Sequence, residues 1–125
     1  MHNSIVKGGS PRDEVWTGER CFIKELMNDP AIPEVSLAQC RVPPGTTTQL
    51  HRLSVDEWYV INQGSGLMEV GSDTPFEVCP GDTIAIPAGV SQRITNTGES
   101  DLVFHCVCIP RFRSDSYESL EADGG

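Results

Sequence analysis

The chain has 125 residues and a formal net charge of −9, because 9 lysine and arginine residues oppose 18 aspartate and glutamate residues. This length suits one compact domain with a hydrophobic core and is too short for two ordinary domains. An excess of negative charge repels phosphate backbones and anionic lipid headgroups, so we expect no nucleic-acid partner and no membrane partner.

The cysteine pattern and the apolar pattern both indicate a cytoplasmic protein. The number of cysteines is odd and the sequence has no CxxC pair, so reduced, buried thiols are expected rather than a disulfide framework or a zinc ribbon. No stretch approaches the roughly 18 apolar residues of a membrane span. The five cysteines are Cys21, Cys40, Cys79, Cys106 and Cys108.

Short strand signals follow one another along the chain, separated by turns rich in Gly, Pro, Asn and Asp. They predict an all-β domain, built as a sandwich or a barrel with a core at about residues 20–110. A flexible N-terminus and an exposed acidic tail are expected outside this core, with a short helical turn over 117–122. The predicted strands are 21–26, 35–42, 48–53, 57–63, 66–70, 75–79, 82–87, 92–97 and 101–109.

Strand alternation predicts where the chemically useful side chains point. Gln49, His51 and Leu53 share one strand face, and Glu57 and Tyr59 share a face of the following strand. A histidine and a carboxylate can therefore converge. In the stretch from 81 to 96, the same alternation places the Gln92 amide on the face of Ile94.

Two spaced motifs make the chain resemble the cupin superfamily. Gly45, His51, Leu53, Glu57 and Gly64 stand at the five positions of the first cupin motif, and leucine replaces a histidine at 53. Gly81, Pro87, Gly89, Gln92 and Asn96 stand at the positions of the second motif, and glutamine replaces a histidine at 92. The resemblance implies a cupin double-stranded β-helix, or jelly-roll barrel, forming a single domain over 1–125.

The resemblance also implies a possible cofactor. In the family, three histidines and a glutamate commonly hold one divalent metal such as Zn, Ni, Fe or Mn. Here only His51 and Glu57 remain from that set, and the Gln92 amide is a weaker donor than imidazole. Two alternatives stay open: a low-affinity metal site of His51, Glu57 and Gln92, or a polar pocket without metal.

Other polar residues are candidates for the substrate pocket. Gln49 and Tyr59 are expected beside His51 and Glu57, where they could orient a substrate. Arg41 would be an anion handle if its strand face points inward. His105 is a further candidate, although a lone histidine among apolar residues is more often a satisfied core residue.

The leading functional hypothesis is an enzyme acting on a small oxygen-rich substrate, sugar-like or a carboxylic acid, with His51 and Glu57 as catalytic residues. With a metal, isomerase, lyase or dioxygenase chemistry is implied. Without one, these two residues would move a proton, as in epimerases and dehydratases. The alternatives are a small-molecule or sugar-binding sensor without turnover, and a catalytically silent structural protein. By resemblance to small cupins we expect a homodimer, with 15–26 as the pairing segment.

Overall fold

The computed structural model describes residues 14–121. The expected flexible N-terminus lies largely outside these residues, and so do the last four residues of the acidic tail. The described chain forms a 3-10 helix, Ser114–Ser116, and these strands: β1 Val15–Trp16, β2 Phe22–Met27, β3 Ser36–Val42, β4 His51–Leu53, β5 Asp56–Gln63, β6 Gly66–Val70, β7 Phe76–Val78, β8 Thr83–Ile86, β9 Gln92–Asn96, β10 Leu102–Ile109 and β11 Tyr117–Ser119.

The strands form two antiparallel sheets, which confirms the all-β prediction. One sheet has the order β1-β2-β3-β10-β5-β8, and the other has the order β11-β4-β9-β6-β7. β4 and β5 are consecutive in the chain but belong to different sheets, so the first motif crosses from one sheet to the other. This crossing is what lets His51 and Glu57 face the same interior space.

The core forms where the alternating side chains of the two sheets meet. In β5 the inward positions are Glu57, Tyr59 and Ile61, and the residues between them are more exposed. Ile61 and Phe104 are almost completely buried. Full burial of an apolar side chain of this size stabilises a fold by about 2 kcal/mol, so these interior positions hold the two sheets together.

Two motif residues, Gly64 and Asn96, shape the backbone and do not line the cavity. Gly64 has φ 86°, and a Cβ there would lie 2.7 Å from the Asp101 carbonyl oxygen, so a larger residue could not be accommodated without backbone movement. The Asn96 Nδ2 donates hydrogen bonds of 2.8 Å to the carbonyl oxygens of Val42 and Ser100. Asn96 therefore links the end of β3 to the turn that precedes β10.

The C-terminal segment differs from the prediction. The expected helical turn over 117–122 is wrong at its start, because Tyr117–Ser119 is a strand that pairs with β4, with Ser119 opposite His51. The expected exposure of this tail is also wrong at Ser116, which is buried. Pairing with the edge of β4 satisfies backbone groups that a helical turn would have left beside an open sheet edge.

The N-terminal segment adds a separate strand ahead of the predicted strand 21–26, within the expected pairing segment 15–26. β1 pairs with β2, and Val15 and Trp16 are 60% and 51% exposed at the edge of the larger sheet. The Arg20 guanidinium joins this segment to the end of the described chain by donating hydrogen bonds of 2.6 and 3.1 Å to the Glu121 carboxylate. Across 14–121, no helix has the length and apolar character to cross a membrane.

Candidate functional site

A cavity of about 550 Å³ opens between the sheets beside β4 and β5. His51, Glu57 and Tyr59 line it from these two strands, while Glu19 lines it from the turn before β2 and Tyr117 lines it from β11. Much of the remaining wall is apolar, with Ile23, Leu53 and Phe112 among its residues. A cavity of this size with a few convergent polar groups is typical of a small-molecule site.

His51 is held as a neutral imidazole. It is 3% exposed, and its Nδ1 lies 2.7 Å from the Gln49 carbonyl oxygen. Since a carbonyl can only accept, this contact assigns the proton to Nδ1 and leaves Nε2 as an acceptor. Burial lowers the pKa of His51, which favours the neutral form, and the Tyr117 ring stacks on the imidazole with centroids 4.7 Å apart.

Glu57 is the most deeply buried carboxyl group of the site, at 7% exposed. Its Oε1 accepts a 2.8 Å hydrogen bond from the Gln92 Nε2, and its Oε2 lies 3.7 Å from the Cys108 Sγ. Burial raises the pKa of Glu57 from 4.5 to about 7, although the bond from Gln92 opposes the rise. Both protonation states of Glu57 are therefore available near neutral pH.

Gln92 lies behind Glu57, not on the cavity wall where the sequence had suggested a pocket residue. It is fully buried, and its amide is polarised from the far side because the Tyr59 hydroxyl donates a 2.5 Å hydrogen bond to Oε1. Tyr59, Gln92 and Glu57 thus form a hydrogen-bonded series. The amide that replaces a motif histidine orients the carboxyl group and keeps its own oxygen occupied.

Glu19 is the site residue that the sequence reasoning missed. It lies in a turn closed by a 2.9 Å bond from the Thr17 amide to the Cys21 carbonyl, and its Oε1 is 3.9 Å from the His51 Nε2. Burial, together with the charge of Glu57, raises the pKa of Glu19 to about 7. Glu19 precedes both motifs, so no spacing rule could have identified it.

The other predicted pocket residues are placed differently. The Gln49 carbonyl oxygen contacts His51, as described, and its side-chain oxygen accepts a hydrogen bond from the Tyr117 hydroxyl. Gln49 therefore holds His51 and Tyr117 in place but does not itself line the cavity.

Arg41 and His105 are not brought to the cavity, contrary to expectation. Arg41 points to the outer face, where it pairs with Glu14 at 2.7 Å and with Asp101 at 3.1 Å. His105 sits opposite Gln39 of β3 and Val60 of β5, out of phase with the buried Phe104, so it belongs to the outer face of the larger sheet. The alternation that turns Phe104 inward turns these two residues away.

Comparison with known proteins identifies the family. A family model for the cupin domain matches residues 38–108, which is more than half of the chain. The chain belongs to the cupin family. This membership and the two-sheet architecture confirm the predicted double-stranded β-helix.

Two relatives of this cupin match over most of their own length. An uncharacterised protein from Methanocaldococcus jannaschii is 36% identical over 108 residues, covering 84% of this cupin and 86% of the relative. An oxalate-binding protein from Thermotoga maritima is 36% identical over 108 residues, covering 85% of this cupin and 83% of the relative.

A solved structure shares the fold. Oxalate decarboxylase from Bacillus subtilis, a protein with Mn(II) centres, superposes with a TM-score of 0.75 at 22% identity. The match covers 87% of this cupin and 30% of the decarboxylase chain. At this identity the likeness concerns the fold alone.

The donor set of this cupin does not fit a tightly held transition metal. Leu53 offers no donor atom, and the Gln92 oxygen already accepts the Tyr59 hydroxyl hydrogen bond. Within residues 14–121, no three His, Cys, Asp or Glu side chains are grouped as metal ligands. The low-affinity site of His51, Glu57 and Gln92 considered from the sequence would need the Gln92 amide to turn and leave Tyr59 unpaired.

Proposed function

We propose that this cupin binds a small organic molecule in the cavity and transfers a proton on it, with Glu57 as the acid and base. The main support for this proposal is the buried Glu57 carboxyl group, which lines the cavity. It is held by a hydrogen bond from Gln92, which accepts a hydrogen bond from Tyr59. Since the pKa of Glu57 is about 7, the group can accept a proton and return it near neutral pH. Isomerisation, epimerisation and dehydration are the reaction classes this supports.

Two more groups of the cavity, His51 and Glu19, support proton transfer. The His51 Nε2 is an acceptor, and Glu19 has a pKa of about 7 like Glu57. A ligand between Glu19 and Glu57 would meet one group that can donate a proton and one that can accept it. Such paired carboxyl groups are a common arrangement for acid and base work.

Of the two substrate classes predicted from the sequence, a carboxylic acid is harder to place than a molecule that presents a few hydroxyl groups to the polar end of the cavity. Hydroxyl groups can donate to Glu57 and His51, and Thr17 and Ser36 also line the cavity. A carboxylic acid would face Glu19 and Glu57. The single-domain extent 1–125 and the cytoplasmic location remain part of the proposal.

A binding protein without turnover is the second candidate. The favouring observation is the oxalate-binding protein of Thermotoga maritima, which is 36% identical over most of its length. Its name describes binding and no reaction. For this cupin, such a role would use the same cavity.

Solvent hydrogen exchange tests the proposal. Wild type would be incubated in D₂O with a panel of aldoses, hydroxy acids and small amines, and carbon-bound deuterium would be measured by NMR. We expect exchange with wild type, a loss of at least about a hundredfold with Glu57→Gln, and no loss with Glu99→Gln, an exposed residue outside the cavity. Ligands that bind but return without deuterium would favour the binding protein.

A further inference from the structure

We infer that the ligand of this cavity carries a positively charged amino group on a compact apolar body, and not a carboxylate. This inference deepens the proposed function, because it rests on the same cavity being the small-molecule site. It also argues against assigning oxalate, a small dianion, as the ligand of this cupin on the basis of the Thermotoga maritima relative.

The charge of the groups that line the cavity is the first argument for a cationic ligand. Three carboxyl groups line it, those of Glu19, Glu25 and Glu57, and no lysine or arginine is among the lining residues of the described chain. Burial lowers the pKa of the single histidine and so favours its neutral form, although the hydrogen bond to the Gln49 carbonyl opposes this. An anionic ligand would therefore lose its hydration and meet like charge, whereas a cation would meet opposite charge.

The nearby arginines do not change this balance. Arg20 contacts Glu121 at 2.6 Å, and Arg41 on the outer face contacts Glu14 and Asp101. Arginine is the residue most suited to binding a carboxylate by two parallel hydrogen bonds. In this fold, the positions that would supply one are already paired with acidic residues.

A pair of hydrogen-bond acceptors, one on His51 and one on Glu19, is the second argument for a cationic ligand. The His51 Nε2 and the Glu19 Oε1 face each other at 3.9 Å, and within the described chain no donor hydrogen-bonds to Nε2. When Glu19 is ionised, both atoms are acceptors and need a donor from elsewhere. An ammonium group offers three donors, and two of them suit the His51 Nε2 and the Glu19 carboxylate.

The apolar residues of the cavity wall provide the third argument. Beyond these polar groups the cavity is bounded by Ile23, Leu53 and Phe112, which cannot form hydrogen bonds. A heavily hydroxylated ligand would leave hydroxyl groups without partners there. A short apolar body with one amino group fits both the acidic end and the apolar walls.

Three probes of equal shape test the charge preference: benzylamine, benzyl alcohol and benzoate, titrated into wild type by calorimetry at neutral pH. We expect benzylamine to bind about tenfold or more tightly than benzyl alcohol, the effect of one charge-assisted hydrogen bond. Benzoate should bind most weakly. Benzoate binding as tightly as benzylamine would overturn the inference, and so would no binding of benzylamine at millimolar concentration.

A matched pair of variants locates the effect. Glu19→Gln should weaken benzylamine about tenfold and weaken benzyl alcohol much less, while Glu99→Gln makes the same change in net charge at an exposed position and should change neither. Equal weakening by both variants would overturn the inference. Solvent exchange on a neutral sugar, with no preference for amines, would overturn this inference and leave the proposed function standing.

Discussion

At the scale of single residues, the replacement of two motif histidines changes what Glu57 does. In this chain a glutamine amide donates to the Glu57 Oε1 at 2.8 Å, and that amide is held in turn by the Tyr59 hydroxyl. A neutral amide restrains the carboxyl group without supplying the positive charge that would keep it ionised. The same side chain that could have been a metal ligand is left as a titrating group.

The raised pKa of Glu57 predicts a pH effect on stability. Well below pH 4.5 the Glu57 carboxyl group is protonated in both the folded and the unfolded chain, but between about pH 5 and 7 it ionises mainly when the chain is unfolded. Ionisation then favours the unfolded chain, so the Glu57 contribution falls as pH rises through this window, by roughly 3 kcal/mol when complete.

Denaturant unfolding of wild type and Glu57→Gln at about pH 5 and about pH 8 measures this effect. Wild type should lose more stability than the variant between the two pH values. Glu99→Gln serves as the control and should follow wild type. Identical pH dependence in wild type and Glu57→Gln would contradict the raised pKa.

Restoring the two motif histidines should create the missing donor set. We expect the double variant Leu53→His, Gln92→His to retain Co²⁺ or Zn²⁺ through gel filtration, because imidazole is a far stronger donor than an amide. Elemental analysis gives the metal content per chain. Wild type and the two single variants are the controls, and full metal occupancy of wild type would show that its present donor set suffices.

At the scale of elements, the cavity depends on segments outside the two motifs. Tyr117 begins β11, and its ring stacks on His51 at 4.7 Å, while Glu19 reaches the same imidazole from the turn before β2. These segments form one wall of the site. The acidic pattern of the tail gave no sign of this role, since only pairing with β4 makes it a strand.

Removing the Tyr117 ring should alter the titration of His51. Burial lowers the pKa of His51, and the stacked ring supplies part of that burial. Tyr117→Ala should therefore raise the pKa of His51 toward the ordinary value, as followed by NMR of the imidazole protons. Tyr117→Phe keeps the ring and should leave the pKa low; an unchanged pKa in Tyr117→Ala would show that the ring does not shield His51.

At the scale of the whole molecule, local pattern predicted the barrel but not its closure. The segment 66–70 was predicted with its observed bounds, because alternating burial and flanking turns mark it locally. The cavity wall was predicted only in part, since Glu19, Tyr117 and β1 depend on contacts between distant segments. Arg41 shows the reverse difficulty: alternation gives a strand two faces, and only the assembled sheets decide which is inward.

The homodimer expected from the sequence is a prediction about the edge of the larger sheet. Val15 and Trp16 are exposed there, where a second chain could cover them. Sedimentation velocity should give twice the mass of the single chain, and Trp16→Glu should give a monomer. Phe76→Glu, at an exposed aromatic of the other sheet, is the control; a wild-type monomer at micromolar concentration would contradict the prediction.

The bond between Arg20 and Glu121 has a consequence for how the protein is made. Its partners are 101 positions apart, and β11 joins β4 across a span of 66 positions between Arg52 and Glu118. During synthesis the chain emerges at about 5–20 residues per second, so several seconds separate the exit of Arg20 from that of Glu121. The edge of β4 stays uncovered in the nascent chain during that interval. A molecule that entered the cavity at that stage would meet an open cleft, and the later arrival of β11 would close it.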